Sequence, residues 1–209
     1  MSEFTELYDK IGYTFADEKL LFRALTHPSF NAHDHYQRLE FLGDSIVDYA
    51  VSDLLYHNSN EREGAMTDTR KLMVSMQPLA YLSDLLGLSK LCRKKNCALS
   101  VKMKSDLYEA LTAAIALDSG IDQAVAFVKR TITLAPLATQ DFKTKLKEYC
   151  EKKRNSYRTA CKTNGIGAKQ IFIIEVYVDD NCLGVGKNAN KHKAENEACR
   201  LALSSLKLI

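Results

Sequence analysis

The pattern of the chain breaks once, near residue 133, and that break limits what it can fold into. Before it, apolar residues recur at helical spacing: Leu7 and Ile11, then Leu20, Leu21, Leu25 and Phe30, then a long apolar-rich stretch from Leu39 to Tyr56. Residues 58–64 read as a polar loop. Met66 to Leu86 resumes the helical spacing, with Pro78 opening a new helix and Gly87 ending it. Residues 88–103 are basic and irregular. Ser105 is the expected N-cap of a helix that runs to about Leu117 and closes at Gly120. A further helix is expected from Asp122 to about Ile132. No strand-like alternation of useful length occurs before residue 140, and no internal repeat. Residues 133–140 (TLAPLATQ) read as a linker. Beyond them, Asp141 caps a helix to about Lys153. Tyr157 to Lys162 reads as a strand, 165–167 as a turn, and IFIIEVYV at 171–178 as a strong strand. Asp179, Asp180 and Asn181 carry hairpin-turn chemistry. Cys182 to Lys187 reads as a third strand and Lys191 to Leu206 as a closing helix. The expected fold is an all-α domain over 1–139 followed by a small α+β domain over 141–209, in the order α-β-β-β-α.

Charge divides at the same place. Residues 1–140 carry 15 basic and 18 acidic side chains, and residues 141–209 carry 14 and 8, so the net +3 joins a mildly acidic part to a basic tail. A basic surface attracts polyanions. With 46% hydrophobic and 26% charged residues, neither a disordered nor a fibrous chain is in question. The longest mostly apolar stretch, Leu107 to Leu117, contains Glu109 and is far shorter than the roughly 20 residues of a membrane span. The N-terminal MSEFTELYDK is too acidic for a signal peptide. Six cysteines without a CxxC pair suit free thiols in a reducing compartment. The expected setting is the cytoplasm, with the nucleus left open, and no membrane.

Acidic residues concentrate at helical spacing. Glu40 and Asp44 stand four apart in RLEFLGDS, with Gln37 one turn earlier, and Asp106 and Glu109 stand three apart on the later helix. Such acids are common on solvated helix faces. If buried they need compensating cations, and a hard divalent ion such as Mg²⁺ takes carboxylate, water and phosphate oxygens. Gly43 inside this helix costs about 1 kcal/mol relative to Ala and hints at close packing. Glu63, at the loop–helix junction EREGAM, joins the cluster if the fold brings it near.

At RLEFLGDS the sequence resembles the ribonuclease III family, and the resemblance covers almost the whole chain. LTHPSF at 25–30 resembles the entry of the family's nuclease domain, EREGAMTDTR its loop containing Glu and Gly, and SDLYEALTAAIALDSG at 105–120 its second catalytic segment. The resemblance implies that Glu40, Asp44, Asp106 and Glu109 ligate Mg²⁺, with Mn²⁺ able to substitute, and that Glu63 helps to form the cleavage site. Gln37 stands where the family usually has Glu, which puts full activity or metal dependence in question. Phe41 matches a residue that packs across the family's dimer interface, plain core packing being the alternative. His27 is expected to hydrogen-bond locally.

The tail resembles a double-stranded RNA-binding domain, through DFKTKLKEY at 141–149, IFIIEVYV with CLGVGK, and NKHKAENEACRLAL at 190–203. The resemblance implies that Thr144, Lys147, Glu148 and Glu151 face one minor groove and that Lys191, His192 and Lys193 hold phosphates, at a helix N-terminus whose exposed N–H groups also favour phosphate. His192 replaces one of two usual lysines. Ala168 stands where a minor-groove His is usual, with Lys169 beside it as the remaining contact.

Together these imply a homodimeric endoribonuclease that hydrolyses both strands of duplex RNA in RNA processing. The products would carry 5′-phosphate and 3′-hydroxyl ends with a short 3′ overhang, and no covalent intermediate forms. Two rivals stand beside this: a double-stranded RNA-binding scaffold of the same family with lost or weakened catalysis, and a nuclease whose tail binds protein.

Overall fold

The computed structural model describes residues 4–138, 140–165 and 170–208. The chain divides into two compact units, Met1–Thr139 and Gln140–Ile209.

In the first unit the helices are α1 (Thr5–Ile11), α2 (Glu18–Ala24), α3 (Gln37–Asn58), α4 (Glu63–Met73), α5 (Met76–Leu86), α6 (Leu88–Leu91), α7 (Val101–Ser119) and α8 (Ile121–Ile132). Helix α7 is the centre. Its residues 105–108 and 110–115 are all buried, as befits a helix apolar on nearly every side. Around it pack α3, through Leu39, Ile46, Val47, Ala50 and Val51, and α5, through Leu79, Leu82 and Leu86. Tyr108, fully buried, shares a 2.6 Å hydrogen bond with Thr131 of α8. Gly87 ends α5 in the left-handed region at φ 84°, donating its N–H to the carbonyls of Ser83 and Asp84. Pro78 sits in the first turn of α5, not at its start. Among the described residues the one β-pairing of this unit is an isolated bridge between Thr26 and Arg93.

One boundary differs from expectation in a way that matters. Helix α7 is capped by Ser100, whose hydroxyl accepts the Met103 N–H at 3.2 Å, and not by Ser105, which is buried inside the helix. The helix therefore gains a full turn, and Lys102 lies on it one turn before Asp106.

In the second unit α9 (Phe142–Lys153) is followed by β1 (Tyr157–Asn164), β2 (Ile171–Val178), β3 (Asn181–Asn188) and α10 (Lys191–Ser205). The sheet is antiparallel in the order β1-β2-β3. Tyr157 pairs with Val178 and Asn164 with Ile171, while Val178 pairs with Asn181 across the hairpin. Asp179 and Asp180 make that turn with φ 48° and 65°, the left-handed backbone that Asp tolerates. Ile174, Val176 and Val178 form the inner face, against Leu146 of α9 and Ala194, Ala198 and Ala202 of α10. Residues 166 and 167 of the expected turn lie outside the described residues. The six cysteines are all unpaired. Among the described residues no helix is long and apolar enough to cross a membrane.

Candidate functional site

The acidic residues meet because α3 and α7 cross at Gly43. A Cβ there would lie 1.9 Å from the carbonyl oxygen of Glu109, so only glycine lets the two backbones approach this closely. The crossing sets Glu40 against Asp106 and Glu109. One carboxylate oxygen from each of these three lies within 4.8 Å of the others. Gln37 and Asp44 line the same cleft. The depths differ, however. Asp106 is buried, Glu40 and Glu109 are half-buried, and Asp44 is exposed and outside the close trio. Helical spacing sets a face, not a depth: of the four acids only Asp106 is buried, and Asp44 stands on the solvated side.

Electrostatics follow from this packing. Burial, followed by the charges of Asp44, Asp106 and Glu40, pushes the Glu109 carboxyl up to about 8. Burial also holds Asp106 above the usual carboxylate range, against the pull of Lys102. The Lys102 ammonium bridges two of the trio, 2.8 Å from Asp106 Oδ1 and 3.0 Å from Glu40 Oε1, and both bonds raise its pKa. Sequence reasoning missed this lysine because the extra turn of α7 was not foreseen. The donors are all hard oxygens, with no thiolate or imidazole, and crowded buried carboxylates favour a divalent cation. The residues therefore fit Mg²⁺ or Mn²⁺.

Glu63 is not brought to this cleft. It opens α4, accepts a hydrogen bond from Thr67 at 3.3 Å, and lines a separate cavity with Tyr49, Tyr56 and Arg70. His27 bonds locally, its Nδ1 accepting the Ser29 N–H at 3.0 Å. Phe41 is 82% exposed, which overturns core packing as its role. Along the same face of α3, Tyr49 and Tyr56 are also exposed, and Leu117 and Ile121 add apolar surface.

In the second unit Thr144, Lys147, Glu148 and Glu151 form one exposed stripe of α9. Thr144 donates its hydroxyl to Asp141 at 2.8 Å, and the Lys147 ammonium lies 5.6 Å from the centre of the Tyr157 ring. Lys191, His192 and Lys193 make the exposed first turn of α10. Two of the N–H groups expected to favour phosphate at that turn are taken within the protein. The Asn190 side chain caps it, accepting from the N–H groups of His192 at 2.9 Å and Lys193 at 3.2 Å. Those two N–H groups are already used, so phosphate contact rests more on the side chains. Lys169, with Ala168, lies outside the described residues.

Comparison with known proteins agrees across both units. Residues 17–135 match the Ribonuclease-III-like family and residues 142–206 the double-stranded RNA binding motif. Ribonuclease 3 of Aquifex aeolicus is 35% identical over 212 residues, covering 95% of each chain. Ribonuclease 3 of Listeria monocytogenes serotype 4a is 32% identical over 228 residues, covering 99% of each. The nuclease domain of ribonuclease III from Campylobacter jejuni, described for flexibility in a region involved in dimer formation, is 29% identical. It matches with a TM-score of 0.61 over 64% of this chain and 98% of that one.

Proposed function

The chain belongs to the ribonuclease III family of double-stranded RNA endoribonucleases, and from that premise we propose that Glu40, Asp106 and Glu109, with Asp44 beside them, hold Mg²⁺ for phosphodiester hydrolysis. We assign cleavage to residues 1–139 and RNA binding to residues 141–209. The observation that carries this reading is the close trio of oxygens at the Gly43 crossing, with one carboxyl pushed up to about 8 by burial and by its neighbours' charges. When bound, the divalent ion neutralises charge on the phosphodiester and lowers the pKa of water. The chain's own part is to hold the three oxygens on rigid helices and to release the Glu109 proton. Gln37 offers an amide on the rim of the cleft, where the family's usual Glu would add a further charge. Mn²⁺ substitutes through the same oxygens. The products carry 5′-phosphate and 3′-hydroxyl ends with a short 3′ overhang. End-group analysis of fragments from a long duplex tests this, and 3′-phosphate ends would contradict it. The six free thiols accord with a reducing compartment, the cytoplasm or the nucleus.

For the second unit, shape recognition of the duplex through 2′-hydroxyls and phosphates suits an exposed α9 stripe and a lysine-bearing turn of α10. Because Asn190 takes two of the backbone donors, affinity rests chiefly on the side-chain cations, and it should fall steeply with salt. Replacing Lys191 and Lys193 with Ala is expected to flatten the log–log salt slope by about 2 in filter binding. An unchanged slope would point to a tail that binds protein.

The exposed face of α3 supports a homodimer. Phe41, Tyr49, Tyr56, Leu117 and Ile121 form an apolar surface that water disfavours, and Phe41 borders a cavity of about 920 Å³ lined also by Arg23, His35 and Leu117. Glu63 lies on the cavity that includes Tyr49 and Tyr56, so its contribution to cleavage comes by way of the paired subunit. Aromatic anchors of this kind contribute about 2 kcal/mol or more. Phe41→Asp is expected to weaken dimerisation by at least roughly 30-fold in sedimentation equilibrium. A dimer of unchanged strength would place the interface elsewhere.

A further inference from the structure

We infer that Lys102 is a built-in competitor of the divalent ion: its ammonium holds the metal-free cleft together and must leave Glu40 and Asp106 before those carboxylates can take the ion. This rests on the proposed metal site. Four acids line the cleft, Glu40, Asp44, Asp106 and Glu109, and among the described residues Lys102 is the single cation that lines it. The ammonium lies 2.8 Å from Asp106 and 3.0 Å from Glu40, and those two residues supply two of the three converging oxygens. A divalent ion needs the same two carboxylates. At such separations a second positive charge beside it is strongly repelled, so the ammonium and the ion compete for the pair.

The burial pattern shows which partner moves. The Lys102 side chain is 63% exposed, against 23% for Glu40 and 9% for Asp106. The acids are fixed beneath on packed helices, whereas the lysine reaches in from solvent on a flexible stem. Because its stem is exposed, the ammonium can return to water without moving either helix. The lysine can therefore be present in the resting cleft and still yield, and it sets the concentration of ion at which it yields. Without it, four carboxylates would face one another with no counter-charge, and the metal-free protein would be less stable.

The experiment measures Mn²⁺ binding by electron paramagnetic resonance, and thermal melting in EDTA, for wild type, Lys102→Met, Lys102→Arg and Glu109→Gln. Methionine keeps the apolar stem without the charge. The expected result is that Lys102→Met binds Mn²⁺ about tenfold more tightly than wild type and melts at a lower temperature in EDTA, whereas Lys102→Arg stays near wild type in both. Wild-type or weaker affinity in Lys102→Met overturns the competition while leaving the metal site standing. If Mn²⁺ binds wild type no better than Glu109→Gln, the metal site itself falls, and the inference with it.

Discussion

Glu109→Gln is expected to lower Mg²⁺-dependent cleavage of duplex RNA by more than about a hundredfold while duplex binding persists. Changes that only orient a metal ligand already cost 10–100-fold, roughly, and this one removes the charge of a ligand itself. Glu109 is the carboxyl on which the charges of Asp44, Asp106 and Glu40 all bear. Glutamine keeps its shape and one oxygen. The fold should not suffer. A carboxyl whose pKa is raised on folding, here from 4.5 to about 8, binds a proton in the native state that the unfolded chain has released. Its contribution to stability is full below pH 4.5 and is lost as pH rises through about 8. In EDTA, wild type should therefore lose stability across that window, and Glu109→Gln should lack that part of the slope. Melting curves between pH 4.5 and 8, with the variant beside wild type, check the sign. A wild type that gains stability relative to the variant as pH rises would contradict the crowding of charge described for the cleft.

Gly43→Ala carries the largest expected effect on stability. The added methyl would lie 1.9 Å from the Glu109 carbonyl oxygen and 2.5 Å from its carbonyl carbon. Both are backbone atoms of the central helix, so no side chain can turn away, and α3 and α7 must separate. Helix propensity favours alanine by about 1 kcal/mol, but overpacking of a well-packed core costs about 3 kcal/mol or more. The net loss should lower the melting temperature of this unit by roughly 5–10 °C. Because the clash is at Glu109 itself, cleavage should fall even well below the melting temperature. Gly64→Ala is the control: a Cβ there meets nothing within 4 Å, and the variant should melt close to wild type. Equal behaviour of the two variants would remove the close crossing from the account.

Much of this organisation was legible in the chain. The change of periodicity near residue 133, the Asp179–Asn181 turn and the Asp141 cap are local features, and local chemistry decides them. Helical spacing also put Glu40 with Asp44 and Asp106 with Glu109. What spacing could not say was depth or partner. Asp44 is exposed although it is one turn from Glu40 and lines the same cleft. The start of α7 is not legible in the sequence because VKMK at 101–104 carries no apolar period, and its helix is held instead by the Ser100 cap and by Lys102 reaching both helices. That ion pair to Glu40 spans 62 residues, so it is a tertiary fact. Glu63 shows the opposite case, a suggestive motif placed on a separate cavity within the chain.

The most direct test is cleavage of a long labelled RNA duplex, beside a single strand of the same sequence, in Mg²⁺ and in EDTA. Cuts are expected in the duplex alone, and only with Mg²⁺. Duplex bound but uncut in Mg²⁺ would contradict it and identify the chain as a binding scaffold of its family, with Gln37→Glu the variant to examine next.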